Sequence, residues 1–134
     1  MPRLYICGEA LIDMLPRSLQ SEDGTAEDVY LPVAGGAIFN TAISLGRLGD
    51  QVGFLAGVST DLFGEQLIQA LAASKVSQEF CVRVPNPTTL AFVKLTDGAA
   101  EYSFMDENSA IRSLEVSMLP QLGSEISALH FGAI

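Results

Sequence analysis

The sequence predicts an α/β fold, built on a mainly parallel sheet that carries an inserted β-hairpin. Three observations support this prediction. Short, nearly all-apolar runs are typical of strands that are buried on both faces of a parallel sheet. Amphipathic segments with helical spacing alternate with these runs. An Asp-Gly turn between two strand-like runs indicates the hairpin.

Four apolar runs predict the strands of the parallel sheet. The first spans residues 4–8, and residues 52–56 and 80–84 form the second and third, the latter stopped at Pro85. The fourth begins near residue 127 and is apolar and uncharged to the last residue. Because domains usually end in polar, loosely held residues, we expect the chain to be the front part of a longer one.

Between the first two strands the chain has a different character. Residues 11–15 predict an extended run that ends at Pro16, and the polar residues 17–28 predict a loop. Residues 29–31 predict a short strand that is stopped by Pro32, because proline cannot donate a hydrogen bond to a neighbouring strand.

Two segments predict helices. The first opens at residues 34–36 and is capped at its C-terminus by Gly49. The second begins after Asp61, a good N-cap residue. Residues 116–122 are a weak third candidate, interrupted by Pro120. Apolar residues at helical spacing mark the two strong candidates: Ile38, Ala42, Leu45 and Leu48 in the first, and Phe63, Leu67, Ala70 and Leu71 in the second.

The hairpin is predicted at residues 90–105. Two strand-like runs, residues 91–95 and 100–104, flank the four-residue segment 96–99 that contains Asp97 and Gly98.

Composition excludes several classes of function. The 134 residues are 49% apolar and carry a net charge of −9, which repels nucleic acid and anionic lipid. No apolar run approaches the roughly 20 residues of a membrane-spanning helix. Cys7 and Cys81 both lie in apolar runs, so we expect two buried free thiols and a cytoplasmic protein.

Polar residues in this apolar chain predict a binding site. Asp13 interrupts an apolar run, Gly35 and Gly36 allow close approach to backbone amides at a helix start, and Asn40 lies in the following turn. Carboxylate, amides and carboxamide together suit a polyhydroxylated ligand. The alternative is purely structural: Asp13 caps a turn, the glycines bend the chain, and Asn40 is a polar residue at a helix start.

Motifs for other chemistry are absent. The sequence contains no phosphate-binding P-loop, no dinucleotide-binding glycine loop and no cluster of cysteines and histidines with metal-ligand spacing. We therefore expect no cofactor or metal site in this chain, and a Rossmann-like redox domain is disfavoured.

Three motifs resemble those of the ribokinase-like (PfkB) carbohydrate kinases. Residues 34–42 (AGGAIFNTA), 45–49 (LGRLG) and 57–64 (GVSTDLFG) look like that family's first signature, and residues 8–16 (GEALIDMLP) look like its fructokinase branch. The resemblance covers nearly the whole chain. It departs from many members at Ile38 and Ser59.

The resemblance implies a three-layer α/β/α sandwich with a small β-lid, formed by segments at about residues 11–33 and 90–105. It implies that the sugar is bound by Asp13, Gly35, Gly36 and Asn40, with Phe104 as an apolar cover. Arg112 is a further candidate for contact with an acidic or phosphorylated sugar, although a solvated surface arginine is the commoner case.

The resemblance also implies what the rest of the protein would supply. Residues 1–134 would be the sugar-binding part, while ATP and Mg²⁺ would bind the full-length enzyme and the catalytic aspartate would lie in its C-terminal half. Fructose is the first choice of substrate, with ribose, 2-keto-3-deoxygluconate and nucleosides as rivals. A homodimer is possible. A non-catalytic sugar-binding or regulatory module remains the competing hypothesis.

Overall fold

A computed structural model describes residues 1–132, which form two four-stranded sheets. The first sheet is wholly parallel and has the order β5-β4-β1-β8, and the second is mixed, with the order β3-β2-β6-β7. The strands of the first sheet are β1 (Leu4–Cys7), β4 (Val52–Ser59), β5 (Cys81–Val84) and β8 (Ala128–Phe131). Those of the second are β2 (Leu11–Gln20), β3 (Ala26–Gly35), β6 (Leu90–Thr96) and β7 (Ala99–Met105).

Two helices, α1 (Ala37–Leu48) and α2 (Leu62–Ala73), connect the strands of the parallel sheet and pack on one of its faces. The predicted caps are present. Gly49 ends α1 in the left-handed conformation, and Asp61 Oδ1 accepts the Gly64 N–H at 2.8 Å at the start of α2. The core between helices and sheet includes Ile6, Phe39, Ala42, Phe54, Val58, Leu67 and Leu71.

On the opposite face of the parallel sheet, a 3₁₀ turn at Ala110–Arg112 packs against β4. A side chain on Gly57 would overlap with the carbonyl of Ala110, so glycine permits this close approach. Elsewhere on this face, Tyr5 stacks on Phe80 with ring centroids 4.5 Å apart. The parallel sheet and the helices packed on it confirm the predicted α/β class.

The predicted hairpin is confirmed as β6 and β7. Asp97 and Gly98 both have positive φ, at 52° and 81°, which is the conformation of a type I′ turn.

The predicted ends of strands at Pro16 and Pro32 are wrong, and the loop predicted at residues 17–28 is shorter, at residues 21–25. Strands β2 and β3 form one long antiparallel hairpin that contains both prolines, with Pro16 opposite Tyr30. The Ile12 N–H points away from β3, to Thr89 O at 3.0 Å, and Pro16 has the same orientation four residues later. Among residues 1–132, no strand pairs with that side of β2 beyond Met14, so the missing N–H of Pro16 leaves no bond unmade.

Two further predictions need correction. Residues 116–122 contain only a 3₁₀ turn, Val116–Met118, which Pro120 follows two residues later. The last strand, β8, is exposed rather than buried, because it lies at the edge of its sheet, and Phe131 is 71% exposed. The final residue of that predicted run, Ile134, lies outside the described residues.

Both cysteines are free thiols, with Cys7 buried and Cys81 half-buried. Burial raises the pKa of the Cys81 thiol to about 12. Within residues 1–132, no helix is long and apolar enough to cross a membrane.

Candidate functional site

The candidate site lies at the carboxyl end of β1. From β1 the first sheet extends in both directions, to β4 and β5 on one side and to β8 on the other. Such a switch point leaves a crevice beyond the strand ends, where open α/β sheets bind ligands. A pocket of about 250 Å³ is formed there by the loop after β1, the start of β2, the first turn of α1 and strand β7. Its lining residues are Glu9, Leu11, Asp13, Gly36, Ala37, Asn40, Tyr102 and Phe104.

The carboxylate of Asp13 is available to a ligand. Asp13 is half-buried, and the hydrogen bonds found among residues 1–132 include none to its carboxylate. Burial raises the pKa of this carboxyl above the ordinary aspartate value. A side chain on Gly35 would overlap with Asp13 Oδ2, so the glycine provides the space that the carboxylate occupies. Asp13 therefore offers two acceptor oxygens at the pocket wall.

The first turn of α1 supplies donors. Gly36 is the N-cap residue, and its φ of +103° lies in a region that favours glycine. No side chain caps the helix from this position, although the Ile38 N–H is bonded to Glu9 Oε1 at 3.3 Å. Asn40, which is exposed, follows Gly36 by one turn, with its N–H bonded to Gly36 O at 2.9 Å. Backbone amides and a carboxamide are thus presented at one helix end.

Two aromatic side chains form the other wall. Tyr102 and Phe104 are two residues apart in β7, so both project from the same face of the sheet, and their rings stack at a centroid distance of 6.1 Å. Phe104 pairs with Ala91, which pairs with Asp13, so Phe104 and Asp13 lie in one row across the sheet. Aromatic faces of this kind can cover the apolar C–H surface of a sugar ring.

The structure brings together the residues that the sequence predicted. Asp13, Gly36, Asn40 and Phe104 line one pocket, and Gly35 is in contact with Asp13.

Glu9 and Tyr102 also line the pocket and were not predicted. The signal for Glu9 is an acidic residue in an otherwise apolar segment, as for Asp13. The signal for Tyr102 is its two-residue spacing from Phe104 in a predicted strand.

Arg112 does not line this pocket. It forms an ion pair with Asp106, which also accepts hydrogen bonds from the hydroxyls of Thr89, at 2.6 Å, and Ser109, at 2.7 Å. Burial alone would raise the pKa of Asp106, but these hydrogen bonds and the guanidinium outweigh burial and lower it. Arg112 therefore helps to hold together the two open ends of the β6–β7 hairpin, where Thr89 precedes β6 and Asp106 follows β7.

A larger groove of about 470 Å³ lies beside the pocket, on the far face of the parallel sheet. Apolar side chains dominate its lining, among them Leu55, Ile111, Leu114, Leu119 and Phe131. Its charged lining residues are Glu9, Asp106 and Arg112, of which Asp106 and Arg112 are paired with each other. The smaller pocket instead presents the carboxylate of Asp13 with no hydrogen-bond partner among residues 1–132, together with the helix-start amides and Asn40, so it is the better candidate for a polyhydroxylated ligand.

Comparisons with known proteins identify the family that the chain resembles. Residues 1–131 match the pfkB family carbohydrate kinases. The chain is 52% identical over 131 residues to a fructokinase from Rhizobium leguminosarum bv. trifolii, a match that covers 98% of this chain and 39% of the relative.

Solved structures show the same similarity. A fructokinase from Xylella fastidiosa superposes with a TM-score of 0.83 and 34% identity over 99% of this chain and 41% of that one. A structure of fructokinase from Xylella fastidiosa with bound ATP matches with a TM-score of 0.78 and 34% identity. The match covers 90% of this chain and 38% of that one. A double mutant of the Vibrio cholerae O395 fructokinase, with fructose, ADP and potassium ion bound, has a TM-score of 0.78 and 28% identity, covering 98% and 40%.

The chain thus spans about 40% of the length of its relatives. The match nevertheless extends over almost all of this chain, from residue 1 to residue 131, and includes every residue of the pocket. The chain belongs to the pfkB family of carbohydrate kinases.

Proposed function

We propose that this chain is the sugar-binding part of a kinase that transfers the γ-phosphate of ATP to a hydroxyl of a neutral sugar, with fructose as the first choice. The observation that carries the proposal is the single pocket that holds Asp13, Gly36, Asn40 and Phe104. Its acceptors, donors and aromatic wall match the hydroxyls and C–H faces of a sugar.

Each pocket residue has a role in this proposal. Asp13 accepts hydrogen bonds from sugar hydroxyls, and the charge on its carboxylate strengthens them. Asn40 and the amides beside Gly35 and Gly36 fix the orientation of the ring, while Phe104 excludes water from one side. Holding the acceptor hydroxyl in a defined place is a large part of catalysis in phosphoryl transfer, since it replaces a bimolecular encounter by a positioned one.

The charge of the pocket favours a neutral sugar over a sugar acid. Two of its lining residues, Glu9 and Asp13, are carboxylic acids, and none is basic. A sugar acid such as 2-keto-3-deoxygluconate would bring a third carboxylate and would need a cationic partner. Arg112, the candidate for that partner, is paired with Asp106.

ATP is the proposed phosphate donor because a fructokinase relative binds it, and we propose Mg²⁺ as its companion ion. Bound Mg²⁺ would neutralise charge on the phosphates. We assign neither group to residues of this chain and propose that the ATP site and the catalytic aspartate belong to the C-terminal part of the kinase.

We further propose that the second sheet, which includes residues 11–33 and 90–105, acts as the lid over the sugar. The face that carries Asp13 and Phe104 also presents Leu31, Val33 and Tyr102 at 47%, 37% and 57% exposure. This apolar surface supports a homodimer through the lids. The two free thiols support a cytoplasmic location.

A phosphorylation assay tests the proposal. The protein for this and later experiments is the full-length kinase, meaning this chain joined to the C-terminal part of its own reading frame or, failing that, of the Rhizobium relative. With ATP and Mg²⁺, fructose should give a higher kcat/KM than ribose, a nucleoside and 2-keto-3-deoxygluconate. A higher value for 2-keto-3-deoxygluconate would contradict the neutral-sugar assignment. Sugar binding without turnover of ATP would support the non-catalytic module instead.

A further inference from the structure

Glu9 is a buried carboxylate to which the proposed function assigns no part in holding the sugar. It lies in the loop between β1 and β2 and is 5% exposed. Its Oε1 atom accepts the Ile38 N–H at 3.3 Å, whereas Oε2 is buried with no hydrogen-bond partner among residues 1–132. A buried carboxylate oxygen without a partner destabilises the fold. An apolar residue of similar size would fill the same space without that penalty.

The contacts of Glu9 lie on the segment that begins α1. A side chain on Gly36 would approach Glu9 Cγ at 3.2 Å and Glu9 O at 3.3 Å, so Glu9 packs directly against the glycine backbone. Ile38, two residues later, donates to its carboxylate. The helix N-terminus also carries partial positive charge, which favours an anion at this place. Glu9 therefore holds the first turn of α1 both by packing and by a charge-assisted hydrogen bond.

That first turn carries the donors of the sugar pocket. The Asn40 N–H is bonded to Gly36 O at 2.9 Å, so a displacement of Gly36 moves Asn40 with it. On the other side of Gly36, Gly35 is in contact with the Asp13 carboxylate. Glu9 and Asp13 thus flank the Gly35–Gly36 dipeptide, and both line the pocket. Asp13 offers its carboxylate to the ligand, whereas Oε1 of Glu9 is bonded to the helix turn itself.

We propose that Glu9 is a positioning residue for sugar binding, which fixes the first turn of α1 relative to Asp13 through its hydrogen bond to the Ile38 N–H. This inference rests on the proposed function. It implies that the hydrogen-bond acceptor at position 9 determines the affinity for sugar and does not act on the nucleotide.

Three variants of the full-length kinase test this role. Glu9→Met removes the acceptor while keeping a side chain of similar length. Glu9→Asp keeps the carboxylate, but the side chain is one methylene shorter and does not reach the Ile38 N–H. Because small misplacements of binding groups weaken oriented contacts strongly, both should raise KM for the sugar about tenfold, with KM for ATP unchanged. Glu9→Gln keeps an acceptor and should leave KM for the sugar within about threefold of the wild-type value.

The control is Ser74→Ala. Ser74 is also a buried polar residue that holds α1, but it does so at the opposite end, through Arg47 Nε at 3.2 Å. This variant should leave both KM values unchanged, and melting temperatures of all four variants show whether they fold. If Glu9→Met does not fold, Glu9→Asp and Glu9→Gln still separate the acceptor from the side chain.

Several results would overturn the inference. An unchanged KM for the sugar in Glu9→Asp, an equal rise in KM for ATP, or a Glu9→Gln variant as impaired as Glu9→Asp would each do so. A wild-type kinase that phosphorylates no neutral sugar would instead overturn the proposed function, so the two failures are distinguishable.

Discussion

The carboxylate of Asp13 occupies the space that a side chain on Gly35 would need. The two residues belong to adjacent antiparallel strands, in which Leu11 lies opposite Gly35 and Asp13 lies opposite Val33. A glycine at the end of β3 is thus coupled to a carboxylate near the start of β2. This contact places an acceptor beside the backbone amides of the α1 N-terminus.

The first prediction follows from this contact. Gly35→Ala should displace the Asp13 carboxylate and raise KM for the sugar at least about tenfold, because an oriented charged acceptor is lost. Gly24→Ala is the control, since Gly24 lies in the β2–β3 turn, where an added Cβ atom would meet no other atom within 4 Å. Its φ of +83° means that alanine there should cost stability, but KM for the sugar should not change. Steady-state kinetics of both variants measure the effect. A Gly35→Ala enzyme with normal sugar kinetics would remove Asp13 from the proposed site.

The second prediction concerns Asp13 itself. Asp13→Ala should lower kcat/KM for the sugar by roughly tenfold to a hundredfold, since charge-assisted hydrogen bonds are worth about 1.5–3 kcal/mol each. KM for ATP should be unchanged. If sugar kinetics were unaffected by this substitution, the assignment of Asp13 would fail.

The pH dependence of stability provides an independent check on Asp13. Burial raises its pKa in the folded state, so the folded protein disfavours the charged form. The resulting destabilisation is absent below the unfolded pKa of about 3.9 and develops as pH rises through the folded pKa. Asp13→Asn should therefore raise the melting temperature at pH 7 and have no such effect near the unfolded pKa. An equal gain at both pH values would contradict this cause.

Much of the fold was predictable because burial on both faces leaves a clear pattern in the sequence. The all-apolar runs of β1 and β4, the cap at Asp61 and the Asp97–Gly98 turn each follow from local chemistry. The β2–β3 hairpin was not predictable in this way. Its outer half is exposed, so it lacks an apolar alternation. Pro16 is tolerated because no strand in the described part of the chain pairs with that side of β2 beyond Met14.

The site shows the same division. Asp13, Gly35, Gly36 and Asn40 lie in or beside recognisable motifs, and their polar character contrasts with apolar surroundings. The role of Glu9 could be recognised only from the structure, because it depends on a hydrogen bond with Ile38, 29 residues away. The position of Tyr102 in the pocket could be recognised only from the register of β6 and β7.

The fourth prediction separates the two faces of strand β7. Phe104 lines the pocket, whereas its neighbour Met105, which is 61% exposed, points to the opposite face. Phe104→Ala should raise KM for the sugar about five- to tenfold, because an aromatic cover is lost. Met105→Ala should leave KM unchanged. Equal effects of the two substitutions would mean that β7 acts through stability rather than through contact with the sugar.

The last prediction concerns the attachment of the second sheet, the proposed lid. Asp61 caps α2 and also accepts hydrogen bonds from Thr88 N, at 2.9 Å, and Thr88 Oγ1, at 2.7 Å, just before β6 begins. Burial would raise the pKa of Asp61, but the hydrogen bonds from Thr88 and Gly64 outweigh it and lower the pKa. The carboxylate therefore joins the helical layer to the second sheet.

Asp61→Ala should lower the free energy of unfolding by about 1–2 kcal/mol, the usual effect of losing an N-cap, and should loosen the attachment of the second sheet. Because the folded pKa is lowered, this stabilisation is present above the unfolded pKa of about 3.9 and is lost as pH falls through the folded pKa. Urea unfolding at pH 7 and at acidic pH measures the loss of stability and its dependence on pH. The control is Glu27→Ala, since Glu27 is an exposed residue in β3. A difference between Asp61→Ala and wild type that persisted unchanged below the folded pKa would show that the carboxylate charge does not make this connection.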